Sequence, residues 1–259
     1  MNFECLELTI ENQTAVVTIN RPPVNPLNSQ VFQELGQMFE DLENNEEVSV
    51  IILTGSGEKA FVAGADINEM ASLDLVGVNK MNKKSRSVFT KIENVNKPVI
   101  AAINGLALGG GLELALVCDF RISSEKAKFG FPETGLGIIP GGGGTQRLQK
   151  FVGQGTAKEL LYFGETFKAD RAEELQLVNK VVPPEEVLQT AKDWAHKLTE
   201  KAPVALNMVK TAVNAGSNVD LESGLTIENT CFGNAFATED RKEGMKAFSE
   251  KRDPQYIGR

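Results

Sequence analysis

Two carboxylates stand in stretches of this sequence where a carboxylate is expensive. Glu113 closes the run GGGLE inside the otherwise apolar segment NGLALGGGLELALVCD (residues 104–119), and Glu133 lies in FGFPETGLGIIPGGGGTQRL (129–148), twenty residues further on. An ionised carboxylate costs several kcal/mol to bury unless it is paired, hydrogen-bonded or protonated. Two acids in neighbouring Gly-rich stretches are the types needed to divide proton transfer, one giving a proton while the other takes one. Each also has a plainer reading. Glu113 can cap the N-terminus of its own helix while the three glycines let that helix pack closely on a strand. Glu133, directly after Pro132, can be an ordinary acid at the start of a short helix. Spacing along the chain does not decide between these readings, because it does not bring the two acids together in space.

A third Gly-containing stretch, KAFVAGADINEM (59–70), shares the pattern. Loops at strand ends and helix starts leave backbone N–H groups unpaired, and glycine lets a ligand approach them closely. A helix opening near Gly110 or Gly111 places its free amides and positive dipole end beside Glu113, where negative charge would be stabilised. Other chemistries lose their parts on inspection. The tetraglycine PGGGGTQRL has a phosphate-loop look, but neither G-x-x-x-x-G-K-[ST] nor G-x-G-x-x-G occurs. A single histidine, His196, beside Trp194 in a charged helix, reads as a surface residue. With no C-x-x-C and no G-x-S-x-G, zinc and Ser-His-Asp sites are not expected, and no metal site is assigned.

The elements that must position these residues follow from periodicity. Strands at 3–10 and 14–20 joined by ENQT, a helix over 28–44, a strand at VSVIILTG, a helix over 74–95 and a strand at KPVIAAING form the first half. Short strands at 119–123 and 127–130, helices near 145–163 and 169–175, and a strand at LVNKVV follow. From Pro184 onward only helices are expected, at 184–200, 203–214, 218–233 and 238–248. This is an α/β core with a helical appendage too small to bury a core of its own, which must pack on its own core or on a neighbouring subunit.

Composition narrows the classes. The chain has 259 residues, 41% hydrophobic and 24% charged, with a net charge of -8, which is ordinary for a globular protein and unlike a phosphate-backbone binder. Three cysteines, Cys5, Cys118 and Cys231, read as reduced thiols, two of them in apolar surroundings. The start MNFECLELTIENQTAVVTIN alternates and carries acids, unlike a signal peptide, and no run reaches a membrane span of about 20 apolar residues. A cytoplasmic protein without membrane or nucleic-acid partners is therefore expected. The acid clusters at 40–47 and 239–243 read as solvated faces.

With AFVAGADINEM, NGLALGGGLELALVCD and PETGLGIIPGGGGTQRL in this order, and the tail EDRKEGMKAFSEKRDP, the sequence closely resembles the enoyl-CoA hydratase, or crotonase, family essentially end to end. The resemblance implies an α/β spiral of repeated β-β-α turns over residues 1–195, with a C-terminal helical region over 196–259 that assembles trimers, commonly stacked as hexamers. It implies an acyl-CoA substrate, with CoA as part of that substrate, no separate cofactor, and a place in fatty-acid β-oxidation. The backbone N–H groups of Ala65 and Gly110 map onto the oxyanion hole. Glu113 and Glu133 match the two catalytic glutamates, taken as water-activating base and C2 proton donor. Ala63, Gly64, Asp66 and Ile67 fall in the CoA-binding stretch, and Phe232 and Lys251 of a neighbouring copy fall near the nucleotide end. The pattern departs from the family at Pro23 and Val24, next to the N-terminal CoA contacts. Within the same superfamily, an isomerase or a pathway-specific hydratase is the alternative, and a noncatalytic acyl-CoA- or RNA-binding member is the alternative of another class. The acidic charge and the presence of both glutamates favour the hydratase.

Overall fold

The computed structural model describes residues 3–259; Met1 and Asn2, the first two residues of the N-terminal segment, lie outside the described residues. The chain opens with a hairpin of β1 (Leu6–Glu11) and β2 (Thr14–Ile19), whose turn residues Asn12 and Gln13 both take positive φ, as tight hairpin turns require. Asn28 caps α1 (Ser29–Glu43) by accepting from the Val31 amide, and the helix buries Val31, Leu35, Met38, Phe39 and Leu42 at helical spacing.

A stepping pattern then begins. β3 (Val50–Gly55), β4 (Ala60–Ala63) and the helices α2 (Ile67–Ala71) and α3 (Leu75–Asn94) make one turn. β5 (Val99–Ile103), β6 (Leu106–Leu108) and α4 (Gly110–Leu116) make the next. β7 (Phe120–Ser124), β8 (Lys128–Gly130), a 3-10 helix at Pro132–Leu136 and α5 (Gly144–Phe163) make the third. The first strand of each turn enters a six-stranded sheet ordered β1-β2-β3-β5-β7-β10, and the second enters a four-stranded sheet ordered β4-β6-β8-β9. β9 (Phe167–Lys168), α6 (Ala169–Glu174) and β10 (Lys180–Val182) complete both sheets. This is the β-β-α spiral the motifs implied. The repeat is one of topology rather than of residue identity.

The inner strands β3 and β5 of the large sheet are buried on both sides, which is why they read as continuous apolar runs. Ile51, Leu53, Val99, Ala101 and Ile103 face the main core with α1. Their alternates Val50, Ile52, Ile100 and Ala102 face Val187, Ala191 and Ala195 of α7 (Val187–Thr199), which follows a 3-10 turn at Pro184–Glu186. The boundary expected at 195/196 thus falls within α7. His196 stands on the solvent side of that helix.

Beyond α7 the chain continues as α8 (Pro203–Gly216), α9 (Leu221–Phe236) and α10 (Glu239–Glu250). α8 is tied to the core by Lys210, whose ammonium donates to Asp119 Oδ2 at 2.8 Å and to the Lys97 carbonyl at 3.0 Å. Among the described residues no helix is long and apolar enough to cross a membrane, and the three cysteines are free. Burial pushes the Cys118 thiol up to about 12, so it stays protonated and unreactive.

Short elements escaped the sequence reading: β4, β6 and β9, of four, three and two residues, and the five-residue α2. Such lengths leave no room for a period to show. One expectation is corrected. The acid cluster at 239–243 is not wholly a solvated face, because Asp240 is 1% exposed. Its carboxylate accepts the amides of Ile257 and Gly258 at 2.7 and 2.9 Å, fastening the C-terminal segment to α10.

The Asp119–Lys210 pair gives the first prediction. Burial raises the pKa of Asp119, and Lys210 opposes that rise. Lys210→Met strands this carboxylate and is expected to cost about 3 kcal/mol or more in urea unfolding. Lys210→Met combined with Asp119→Asn should recover much of the loss; equal losses in the single and double variants would show that the charge pairing is not the cause.

Candidate active site

Register in the small sheet assembles the site. Ala63 of β4 pairs with Leu108 of β6, and Leu108 pairs with Gly130 of β8, all in parallel strands. Two residues past the first two members of this row come Ala65 and Gly110, and three past the last comes Glu133. The rim at the carboxyl ends of parallel strands is where α/β proteins hold ligands. A cavity of about 610 Å³ opens at this rim. Ala63, Gly64, Ala65, Ile67, Gly110, Glu113 and Glu133 all line it, with Phe32, Met70, Val78, Met81 and Phe89 among its apolar walls.

The loop after β4 is fixed from below. The Leu27 amide donates to Gly64 O at 2.9 Å, and the Asp66 amide donates to Leu27 O at 2.8 Å. The Asp66 carboxylate caps α2 by accepting from Asn68 and Glu69, and it pairs with Arg21 at 2.6 Å. These bonds hold Gly64 and Asp66, but among the described residues the Ala65 amide has no acceptor, and the Gly110 amide, at the first position of α4, has none either. A β-carbon built on Gly110 would stand 3.7 Å from the Ala65 nitrogen, so the two free donors are neighbours.

Glu113 is 4% exposed and is the acid of the first turn of α4. Its side chain does not cap its own helix. Oε1 accepts the amides of Gly142 and Gly144, at 2.9 and 2.7 Å, from the tetraglycine loop. Burial raises its pKa, while those two amides and the nearby Arg147 pull the other way. Glu133, in the 3-10 helix, contrasts with it. Its Oε2 is buried with no hydrogen-bond partner. Burial, reinforced by the charge of Glu113, pushes its carboxyl up to about 7. One carboxylate is therefore held in a cradle of donors while the other has a free oxygen in the same cavity.

The glycines of GGG have separate tasks. Gly109 turns the chain at φ 50°, ψ -121°, and a β-carbon there would stand 2.7 Å from Glu133 Oε1. At Gly111 the same addition would meet Val62 O at 2.0 Å, so the close helix-to-strand packing expected of these glycines is real at that position.

Two neighbouring unpaired amides, beside two acids of unequal surroundings, suit a reaction that builds negative charge on a carbonyl oxygen while moving protons next to it. The comparisons with known proteins agree with this geometry. The family model described as enoyl-CoA hydratase/isomerase matches residues 9–259. The chain belongs to the enoyl-CoA hydratase/isomerase family.

Among its relatives, the short-chain-enoyl-CoA hydratase of Clostridium acetobutylicum is 50% identical over 253 residues, covering 97% of each chain. The crotonyl-CoA hydratase of Syntrophomonas wolfei is 46% identical over 260 residues, with both chains fully covered. Among solved structures, an enoyl-CoA hydratase from Bacillus anthracis superimposes with a TM-score of 0.95 at 41% identity, covering 99% of this chain and 100% of that one.

Not every residue picked from the motifs comes to the cavity of this enoyl-CoA hydratase/isomerase family chain. Asp66 is spent on Arg21 and the α2 cap. Phe232, 65% exposed and stacked on Phe236, and Lys251, in the left-handed cap of α10, sit on the helical tail outside this chain's own cavity lining, where residues expected to serve a neighbouring copy would sit. The sequence reading also missed positioners. The tetraglycine has the look of a phosphate loop in the sequence, whereas its Gly142 and Gly144 amides hold Glu113. Asn25, buried at a positive φ, donates to Ala60 O and Phe61 O and so sets the approach to β4. Nothing about an Asn between Val24 and Pro26 marks it as a positioner.

Gly109→Ala is expected to cost about 1–3 kcal/mol from backbone conformation alone. It should also displace the Glu133 carboxyl, visible in a crystal structure of the variant; an unmoved Glu133 would show that this contact is not tight.

Proposed function

We propose that this chain is a 2-enoyl-CoA hydratase, adding water across C2=C3 of an enoyl-CoA thioester to form the 3-hydroxyacyl-CoA. The observation that carries the reading is the unequal pair: Glu113 held by two amides and Glu133 with a free buried oxygen, both beside the unpaired amides of Ala65 and Gly110. The names of the two relatives point to the same chemistry.

The thioester carbonyl oxygen takes the Ala65 and Gly110 amides. Glu113, ionised, accepts a proton from water as its oxygen attacks C3. The electron pair of C2=C3 moves toward the carbonyl, forming an enolate whose oxygen the two amides stabilise. Losing one such donor typically costs about 3–4 kcal/mol of barrier. Glu133, protonated, then gives its proton to C2. The pair begins and ends with one proton, which has moved from Glu133 to Glu113; hydration of the next substrate requires its return to Glu133, and the reverse reaction starts from the Glu113-protonated form.

CoA lies along the backbone of Ala63, Gly64, Ala65 and Ile67, where the chain leads into α2. No cofactor beyond the CoA of the substrate enters the scheme. The tail over 196–259 is the region of self-association in this reading, as a trimer or hexamer. In support, it exposes Leu225, Phe232, Phe236 and Phe248, a large apolar surface for helices in water. In that assembly Phe232 and Lys251 of one copy approach the nucleotide end of another copy's substrate.

Hydration of crotonoyl-CoA, followed by loss of the conjugated thioester absorbance, tests the reading. Glu113→Gln and Glu133→Gln should each lower kcat by at least about 100-fold, the lower range for a general acid or base, with the fold intact by circular dichroism. Near-normal turnover in either variant would exclude that residue from proton transfer.

The pH dependence follows from the pair. As pH rises through about 7, the Glu133 value, the shared proton is lost and kcat/KM should fall. At low pH a second proton neutralises Glu113, and kcat/KM should fall again. A flat profile from pH 6 to 9 would show that Glu133 does not hold the transferred proton in the free enzyme.

A further inference from the structure

Behind the cavity wall lies an ion pair that the proposed reaction leaves unused. Arg147, in the first turn of α5, grips Glu93 of α3 with two parallel bonds, Nε to Oε1 at 2.8 Å and Nη2 to Oε2 at 2.6 Å. The remaining arm, Nη1, donates to Gly142 O at 3.1 Å. That carbonyl lies between the two amides that hold Glu113, those of Gly142 and Gly144. Glu93 is steadied in turn, since Asn214 Nδ2 of α8 donates to its carbonyl at 3.0 Å. The Arg147 and Glu93 side chains are only 17% and 30% exposed, and their fork is bidentate.

A loop of four glycines has no side chains with which to pack, so its amides are held against their backbone entropy only by bonds made to its peptide groups. Between the two donors, the Gly143 carbonyl accepts the amides of Gln146 and Arg147 from the start of α5, and among the described residues the Gly142 carbonyl is held by the Arg147 side chain. We propose that Arg147, oriented by Glu93, is a positioning residue that locks the tetraglycine amides onto Glu113. The inference rests on the hydratase reading only for its effect on turnover.

The charges facing Glu113 are few. Glu133 comes from the 3-10 helix, and Arg147 comes from α5 with Glu93 behind it on α3. The residues that α3, β4 and α4 contribute to the cavity lining carry no other charge besides Glu113 itself. Arg147 lowers the Glu113 pKa against its burial. Removing Arg147 therefore raises that pKa, and the ionised form appears only at higher pH. Removing Glu93 takes away an opposing negative charge, so it cannot move Glu113 in that direction by electrostatics, although it frees the fork.

The test compares Arg147→Met, Arg147→Lys and Glu93→Gln by kinetics and by carboxyl 13C NMR titration of Glu113 in the ligand-free protein, assigned with Glu113→Gln. Arg147→Met should lower kcat on the order of 10- to 100-fold, as for a misplaced catalytic group, with little change in KM. Its low-pH limb and its NMR titration should both move up. Arg147→Lys should restore the titration and only part of kcat, since it keeps the charge and loses the fork. Glu93→Gln should lower kcat without an upward shift, and it carries the test together with Arg147→Lys if Arg147→Met does not fold. A purely structural staple would lower Tm and leave the titration and the kcat of the folded fraction unmoved, which overturns the proposal. If wild type turns over no enoyl-CoA, the hydratase reading fails; an upward NMR shift in Arg147→Met would still support the proposal, and an unmoved one would still overturn it.

Discussion

A carboxylate with 4% of its surface exposed, held by two peptide amides, is the constraint around which this molecule is arranged. Glu113 cannot remain ionised at that depth without donors, and α4, on which it sits, offers none to its side chain. The donors come from a loop about thirty residues further along, and that loop must pass within hydrogen-bond distance of the helix. Side chains would stand in the way: a β-carbon on Gly142 would meet Glu113 Oε2 at 2.7 Å, and one on Gly144 would meet Oε1 at 3.0 Å. The tetraglycine is thus part of the acid's environment, and the loop, lacking side chains, is held by bonds made to its peptide groups.

The spiral supplies the rest of the geometry by repetition. Each turn places one strand in the large sheet and one in the small sheet, so three successive small-sheet strands end side by side. A residue just past each end then reaches the same cavity, although these residues are separated by dozens of positions in the chain. Burial of the large sheet's inner strands on both faces, by α1 on one side and α7 on the other, makes this base stiff. Stiffness matters because two amides act on a developing oxyanion only when they are already in place, without reorganisation during the reaction.

The acids differ because their surroundings differ. The first is embedded among donors, while the second keeps a free oxygen in an apolar-walled cavity, and the charge of the first raises the proton affinity of the second. Both glutamates follow glycines or proline, and both were legible as chemistry-capable residues. Their division of labour was not, since it depends on which amides point at which oxygen.

Long, periodic elements were legible from residue spacing. α1 and α3 carry their apolar stripes, and β3 and β5 read as buried runs because both of their faces are covered. The motifs also named Ala65, Gly110, Glu113 and Glu133 through their likeness to a family. β4 and β6, too short for a period, could not be read, although they set the register that brings those four residues together. Nor could Asp240 be seen as buried, since its partners are amides of the last three residues. Sequence by itself determined which of the longer segments become helix or sheet and which side chains can exchange protons, because these depend on local spacing and residue type. Only the tertiary structure decided that Glu113 is cradled by distant glycines, that Glu133 is left unpartnered and that Arg147 stands behind them. Hydrogen bonds between segments far apart in the chain leave no period in the sequence.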